Sequence, residues 1–272
     1  MSHKPLLYIV KLGGGSIDHP EALDSFLSSF ATLALQKDTA QKTHTLLVHG
    51  GGKIATELAL QLGIAQQIRE GRRITDSETL KVVTMAYAGH INKNIVVSLQ
   101  AKGCNALGLT GVDANLINAQ KRAAHPIDYG YVGDPISVNT DLLYTLFSKD
   151  VTPVIAPITH NNQGQLLNTN ADTIAQTLAV ALSKDYTIEL IYTFEKKGVL
   201  ADIDDPDSVI ATIDHKMYRT LKEKKTIHSG MLPKLDNAFA ALESGVATVR
   251  IGKAEALLSL VKGQAGTTLK YA

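Results

Sequence analysis

Twice within the first 62 residues, a short apolar run ends in a glycine triplet and is followed by helical periodicity. Leu6 to Val10 closes on Lys11-Leu-Gly-Gly-Gly15, and Pro20 to Gln36 then carries Leu23, Phe26, Leu27, Phe30 and Leu33 at helical spacing. Thr45 to His49 repeats the pattern into Gly50-Gly-Gly52, with Ile54, Leu58 and Leu62 on one helical face beyond. Unbroken apolar runs of this length read as strands buried on both faces. Strand, glycines and helix, used twice, predict an α/β sheet covered by helices on both sides.

The rest of the chain extends this reading. Asp76 to Lys102 predicts a long helix, with Asp76 or Ser77 to cap it and Gly103 to stop it. Leu107 to Asn118 and Ala124 to Val138 are short apolar runs among Gly, Asp and Pro, the pattern of hairpins rather than another crossover. Val151 to Ile158 predicts a strand that its two prolines restrict to an edge or an interrupted course. Asn161 to Gly164 predicts a hairpin turn, Ala171 to Ser183 a helix and Thr187 to Thr193 a buried strand. Helices over His215 to Lys225 and Leu232 to Ser244 and a strand over Val246 to Ile251 follow.

Composition narrows the function classes. A net charge of +1 leaves no footprint for nucleic acid or an anionic membrane. A single cysteine, Cys104, excludes an internal disulfide and a Cys-rich zinc site. Met1 to Val10 carries too short an apolar run for a signal peptide, and no stretch reaches the roughly 18 apolar residues that cross a bilayer. The expectation is a cytoplasmic protein. His49, His160 and His228 lack metal spacing, and Asp202, Asp204, Asp205 and Asp207 mimic a calcium loop that Pro206 and a missing glycine break.

The glycine triplets carry the chemistry. Without Cβ, a glycine backbone lets ligand atoms approach while its N–H groups converge on an anion, and a following helix adds the positive end of its dipole. Both triplets stand at carboxyl ends of strands, where open α/β sheets place ligands. Walker A is excluded, because Gly52-Lys53 is followed by Ile54 and no glycine lies five residues before Gly52. Gly50, Gly52 and Ala55 meet a relaxed dinucleotide pattern, but Gly63 to Gly71 holds no second strand leading to an acid. Lys11 ends a buried strand, where an ammonium is costly to desolvate unless it meets an anion. Lys234 opens a helix, where a cation is locally unfavourable, which points to service to a ligand. Asn170 and Asp172 read by themselves as an N-cap and an ordinary first-turn acid.

Taken together, Lys11-Leu-Gly-Gly14, His49-Gly-Gly-Gly52, Gly71-Arg-Arg-Ile-Thr75, Asn168-Thr-Asn-Ala-Asp172 and Ser229-Gly-Met-Leu-Pro-Lys234 stand in the order and spacing of the N-acetylglutamate kinases. The chain resembles that branch of the amino-acid kinase family from Leu6 to its carboxyl terminus. The resemblance implies a three-layer α/β sandwich with a mostly parallel central sheet and two lobes. Residues 1–183 would bind the acyl-glutamate and dimerise, and residues 184–272 would bind nucleotide. It implies ATP and Mg²⁺ as cofactors and phosphorylation of the side-chain carboxylate of N-acetyl-L-glutamate. Catalytic roles fall on Lys11, Asp172 and Lys234, with the carboxylate of Asp172 orienting the two lysines. Gly51, Gly52, Arg73 and Asn168 correspond to substrate-binding positions. Lys11, Gly13, Gly14, Gly50, Thr193, Lys197, Gly230 and Lys234 correspond to the nucleotide side, with no metal-ligating side chain. One departure stands out: Phe194 occupies a position where the family commonly has aspartate, so Lys196 or Lys197 is expected to substitute there.

The arginine-inhibited hexamers of the family carry an additional amino-terminal helix that does not precede Lys11 here, which implies a homodimer without arginine feedback. The alternatives are a kinase of the same family acting on N-succinylglutamate or an aminoadipate derivative, or a nucleotide sensor that has lost catalysis. Intact Lys11, Asp172 and Lys234 speak against the last.

Overall fold

A computed structural model describes residues 4–36, 42–69, 72–223 and 231–271. The chain opens with β1 (Leu6–Leu12), the one-turn α1 (Gly14–Ile17), α2 (Pro20–Leu35), β2 (Thr43–His49) and α3 (Gly52–Gln61). A short ribbon, β3 (Gln67–Arg69) and β4 (Arg72–Ile74), leads to α4 (Ser77–Thr84) and α5 (Asn92–Ala101). Next come β5 (Ala106–Thr110), β6 (Ile117–Lys121), β7 (Gly133–Val138), α6 (Thr140–Ser148), β8 (Thr152–Ala156), β9 (Ile158–His160) and β10 (Leu166–Asn168). The remainder is α7 (Ala171–Leu182), β11 (Thr187–Phe194), β12 (Thr212–Ile213), α8 (His215–Glu223), α9 (Leu232–Glu243), β13 (Thr248–Lys253), α10 (Leu257–Val261) and β14 (Thr267–Leu269).

Among the described residues, eight strands form the main sheet in the order β12-β14-β13-β11-β1-β2-β8-β5. Every neighbouring pair is parallel except β13 and β14. Side chains alternate across it, as the two-residue period of a strand requires. Leu7, Ile9, Leu46, Val48, Leu190 and Val249 pack on one face with α6, α7 and α9. Val10, Leu12, Leu47, Ile191 and Val154 pack on the other with α2, α5 and α10. Three layers with a core on each side result, as the glycine-punctuated strands predict. Lys11 continues the row Leu7, Ile9, so the period that buries those residues also carries its ammonium onto the α7 face.

β3 and β4 pair with each other, and four further strands form a second sheet, β10-β9-β6-β7. Its β9–β10 hairpin turns through Asn162 and Gly164, both at positive φ, where the turn was expected. The hairpin reading of residues 107–118 needs correction. Ala106–Thr110 lies parallel to β8 as the outer strand of the main sheet, reached by a crossover. An edge strand has one neighbour, and Leu107 is exposed on β5, so the run lacks the unbroken apolar character of a central strand.

The two prolines of residues 151–158 act differently. Pro157 separates β8 from β9, the interruption expected of it. Pro153 lies inside β8, between β2 and β5 rather than at an edge. The Thr152 N–H donates toward β5, to the Asn105 carbonyl at 2.8 Å. The donor that Pro153 lacks therefore falls on the β2 side, where pairing begins only at Val154.

The long helix expected from Asp76 starts as read: the Asp76 carboxylate accepts the Thr79 N–H at 2.7 Å, and Gly103 follows its end at φ +80°. It is not uniform, because Met85–Ile91 winds as a π-helix between α4 and α5. Such wide turns shift the faces of a helix and gather at functional sites. Here the shifted segment presents Tyr87 and Ile91 to the second glycine triplet.

Candidate active site

The carboxyl ends of β1 and β2 deliver the two glycine triplets to one place. A side chain at Gly14 would stand 3.8 Å from the Gly51 nitrogen, and one at Gly50 would stand 3.7 Å from the Gly14 nitrogen, so the loops touch. Gly51 sits at φ +142°, which favours glycine, and a Cβ there would also press on Ile91 Cδ1 at 2.1 Å. Gly13 approaches β11 closely, since its Cβ would meet the Thr193 carbonyl at 2.6 Å. Thr193 closes this junction: its buried hydroxyl donates to the Lys11 carbonyl at 3.1 Å and accepts the Gly13 N–H at 3.4 Å.

Asp172 organises the other side. The Asn170 side chain caps α7 by accepting the N–H groups of Asp172 and Thr173, which sets Asp172 in the first turn, facing Lys11 across the layer. Its Oδ1 lies 2.8 Å from Lys11 Nζ, and its Oδ2 accepts from Lys234 Nζ at 2.5 Å. Oδ1 and Lys11 form a buried ion pair, and Lys11 acts on the carboxylate chiefly through its charge. The Asp172 side chain is 12% exposed and that of Lys11 10%. Burial pushes the Asp172 carboxyl upward, yet the ammoniums of Lys11 and Lys234 outweigh it and hold the group well below the usual carboxylate range. Lys234 lies in the first turn of α9, where the helix dipole opposes a cation, and the carboxylate of Asp172 supplies the compensation.

Lys11, Gly14, Gly50, Gly51, Gly52, Arg73, Asn168 and Asp172 line one cavity of about 540 Å³. The Asn168 side chain donates to Thr75 Oγ1 at 3.0 Å. Arg73, on β4, donates to the Gly52 carbonyl and to Thr56 Oγ1, each at 2.8 Å, and to Gln66 Oε1, which ties the ribbon to the start of α3. Lys234 reaches the cluster through Asp172, and Gly13 stands behind it against β11. Thr193 and Lys197 do not line the cavity; Lys197 pairs with Asp207 on the loop beyond β11. Gly71 and Gly230 lie outside the described residues.

Several wall residues received no individual role in the sequence reading. Lys53, Thr56, Arg72, Tyr87 and Arg122 also face the cavity. Arg72 neighbours Arg73 in the sequence and Lys53 follows the second triplet, so both were within reach of the motifs. Tyr87 depends on the π-helical shift. Arg122 arrives from β6–β7, where it pairs with Asp134 at 2.5 Å, and no local pattern marks it. Among the described residues, five cationic side chains thus face the cavity against one carboxylate, Asp172. Such a wall suits a ligand bearing several negative charges.

Comparison with known proteins agrees. The amino acid kinase family model matches residues 7–253. The acetylglutamate kinase of Cytophaga hutchinsonii is 54% identical over 94% of this chain and 94% of its own length. That of Bacteroides fragilis strain ATCC 25285 is 48% identical over 98% of both chains. Carbamate kinase from Giardia lamblia, solved with AMP-PNP, superposes with a TM-score of 0.72 at 13% identity, over 98% of this chain and 99% of that one, and shares the fold.

The Asp172 cluster makes stability depend on pH with a definite sign. Its folded pKa is depressed, so the ionised group adds stability above the unfolded value of about 4, and that addition vanishes as pH falls through the folded value. In urea denaturation, the stability gap between the natural protein and Asp172→Asn is therefore widest near neutrality and narrows below about pH 4. A gap that stays constant down to about pH 3 contradicts the ionised cluster.

Proposed function

The chain belongs to the amino acid kinase family, and on that premise we propose that it transfers the γ-phosphoryl group of ATP to the side-chain carboxylate of N-acetyl-L-glutamate. The products are N-acetylglutamyl phosphate and ADP, a step of arginine biosynthesis. The observation that carries this reading is the pair of lysines held on opposite oxygens of Asp172, beside two touching glycine loops.

Moving a phosphoryl group onto a carboxylate brings two anions together, and the barrier is lowered chiefly by alignment and charge. In this assignment Lys11 meets the migrating phosphoryl group and Lys234 the ADP side of it. The N–H groups of Gly14 and Gly51 donate to the phosphoryl oxygens. Asp172 keeps both ammoniums in place. Arg73 and Asn168 hold the α-carboxylate and amide region of the acceptor, and Gly51-Gly52 lie along its side chain. An acceptor carboxylate is ionised near neutral pH, so no general base is needed. Consistent with this, Asp172 is shielded by two cations and is unsuited to accept a proton.

Mg²⁺ enters this scheme as part of the MgATP substrate. Among the described residues no three metal-binding side chains converge, and Asp172 is taken up by its lysines. Phosphate oxygens and water would supply the coordination, as is common for this ion. Residues 1–183 form the acceptor lobe in this reading and 184–272 the nucleotide lobe, with Thr193, Lys197 and Gly230 on the nucleotide side. In support, the described residues of the cavity wall all fall within 11–172, while Lys234 enters from the other stretch. A cytoplasmic setting belongs to the same reading, because ATP is the donor; export of the chain would contradict it.

A longer, acidic acyl group such as succinyl is a second reading, favoured by Arg72 and Arg122 in the cavity wall. An ADP-release assay with N-acetylglutamate, N-succinylglutamate, aspartate and no acceptor decides between them. Turnover with N-acetylglutamate supports the proposal, and ADP release only without an acylated glutamate sinks it.

In that assay Lys11→Ala lowers kcat by on the order of 10² or more, as removal of a preorganised charge donor does. Near-normal turnover would remove Lys11 from the transition state. Arg73→Ala chiefly raises KM for the acyl-glutamate, because it grips a carboxylate that does not react; an unchanged KM would move the acceptor elsewhere. The homodimer implied by the resemblance finds support in Met85 and Val97 on the long helix and Leu107 on the adjoining edge strand, all exposed. Burying them between two copies is favourable. Light scattering is expected to give twice the chain mass, and hexamers would overturn it.

A further inference from the structure

His49 is the last residue of β2, directly before the second glycine triplet, and the roles assigned above leave it unused. It is fully buried. Its Nδ1 lies 2.8 Å from the Gly50 carbonyl, and its Nε2 lies 3.2 Å from the side-chain nitrogen of Asn92 at the start of α5. The same Asn92 nitrogen donates to the Val154 carbonyl on β8 at 2.9 Å. A carbonyl can only accept, so that contact identifies the Asn92 atom as the amide NH₂ and leaves its second hydrogen for Nε2. Nε2 is then an acceptor, and the ring proton resides on Nδ1, where it is donated to Gly50.

The Asn92 oxygen is fixed in turn. It accepts from Lys93 Nζ at 3.1 Å, and Lys93 also donates to the Gly108 carbonyl at 3.2 Å. A side chain at Gly108 would stand 1.9 Å from the Asn92 oxygen, so a glycine on β5 keeps room for this arrangement. Burial, assisted by the charge of Lys93, holds the His49 ring down to about 4, and it stays neutral at pH 7.

In a trans peptide unit the carbonyl and the N–H of the following residue point in opposite directions. Fixing the Gly50 carbonyl therefore fixes the direction of the Gly51 N–H, whose nitrogen lies beside Gly14: a side chain on Gly14 would stand 3.8 Å from it. Glycines give little resistance to rotation of such a unit, and Gly51 already sits at φ +142°. We infer that His49 is a positioning residue: its Nδ1–H anchors the Gly50 carbonyl and locks the Gly50–Gly51 peptide with the Gly51 N–H turned toward the phosphoryl site. This rests on the kinase reading for the role of Gly51, whereas the anchoring stands on the hydrogen bonds alone.

The test compares the natural enzyme with His49→Asn and His49→Phe. An asparagine side-chain N–H can reach the position of Nδ1, and phenylalanine has no donor. His49→Phe is expected to lose kcat by on the order of 10², as loss of one oriented donor does, with KM for both substrates little changed. His49→Asn is expected to recover most of that loss. Equal losses in the two variants, or no loss in either, would overturn the assignment. Should the phenylalanine variant fail to fold, ¹⁵N NMR of the natural enzyme at pH 7 carries the test. A His49 ring protonated at Nδ1 and bare at Nε2 supports the proposal; the opposite tautomer or a doubly protonated ring refutes it. A natural enzyme inert toward every acylated glutamate would instead defeat the kinase reading, and the NMR result would still judge the anchor.

Discussion

Everything at the candidate site is arranged around one buried carboxylate with a cation on each oxygen. Three elements distant in the chain meet there: β1 supplies Lys11, α7 supplies Asp172 and α9 supplies Lys234. An ammonium or a carboxylate alone would be expensive to bury, and together they tolerate the site because each answers the other's charge. The same arrangement leaves the cluster net positive, ready for an anion. Packing and chemistry therefore make the same demand on these residues: the side-chain period that seats Leu7 and Ile9 in the core also presents Lys11 to its partner.

The central architecture was legible because its signals are local. A continuous apolar run followed by glycines and helical periodicity can scarcely be anything but a buried strand feeding a covered sheet. The caps were legible for the same reason: Asp76 and Asn170 act on N–H groups within three residues of themselves. The readings that failed depended on distant partners. Ala106–Thr110 joins the main sheet because β8 arrives to receive it, and nothing in those five residues announces β8. Pro153 is admitted to a strand interior because pairing with β2 starts one residue later, a matter of register between segments about a hundred residues apart.

The site divides along the same line. The residues that line the cavity from the two triplets and from Asn168 to Asp172 belong to ordered motifs, and their meeting follows once the strands are parallel. Tyr87 and Arg122 do not belong to any such motif. Tyr87 reaches the cavity through a change in helical winding, and Arg122 through a separate small sheet. Thr193 shows a further limit: a motif names the residue, but only the packed structure reveals that its hydroxyl is taken up in joining β11 to β1.

The place of β1 in the main sheet bears on how the chain is made. It lies between β2 and β11, and the second pairing joins residues 6–11 to residues 187–192. On a ribosome the first strand can therefore dock on one side early, while its other hydrogen-bonding edge waits for most of the polypeptide to emerge. Contacts so far apart in sequence close slowly, and an open strand edge invites foreign partners. The nascent chain thus spends most of its synthesis with its innermost strand half-matched, which makes that interval the period of greatest need for protection against aggregation.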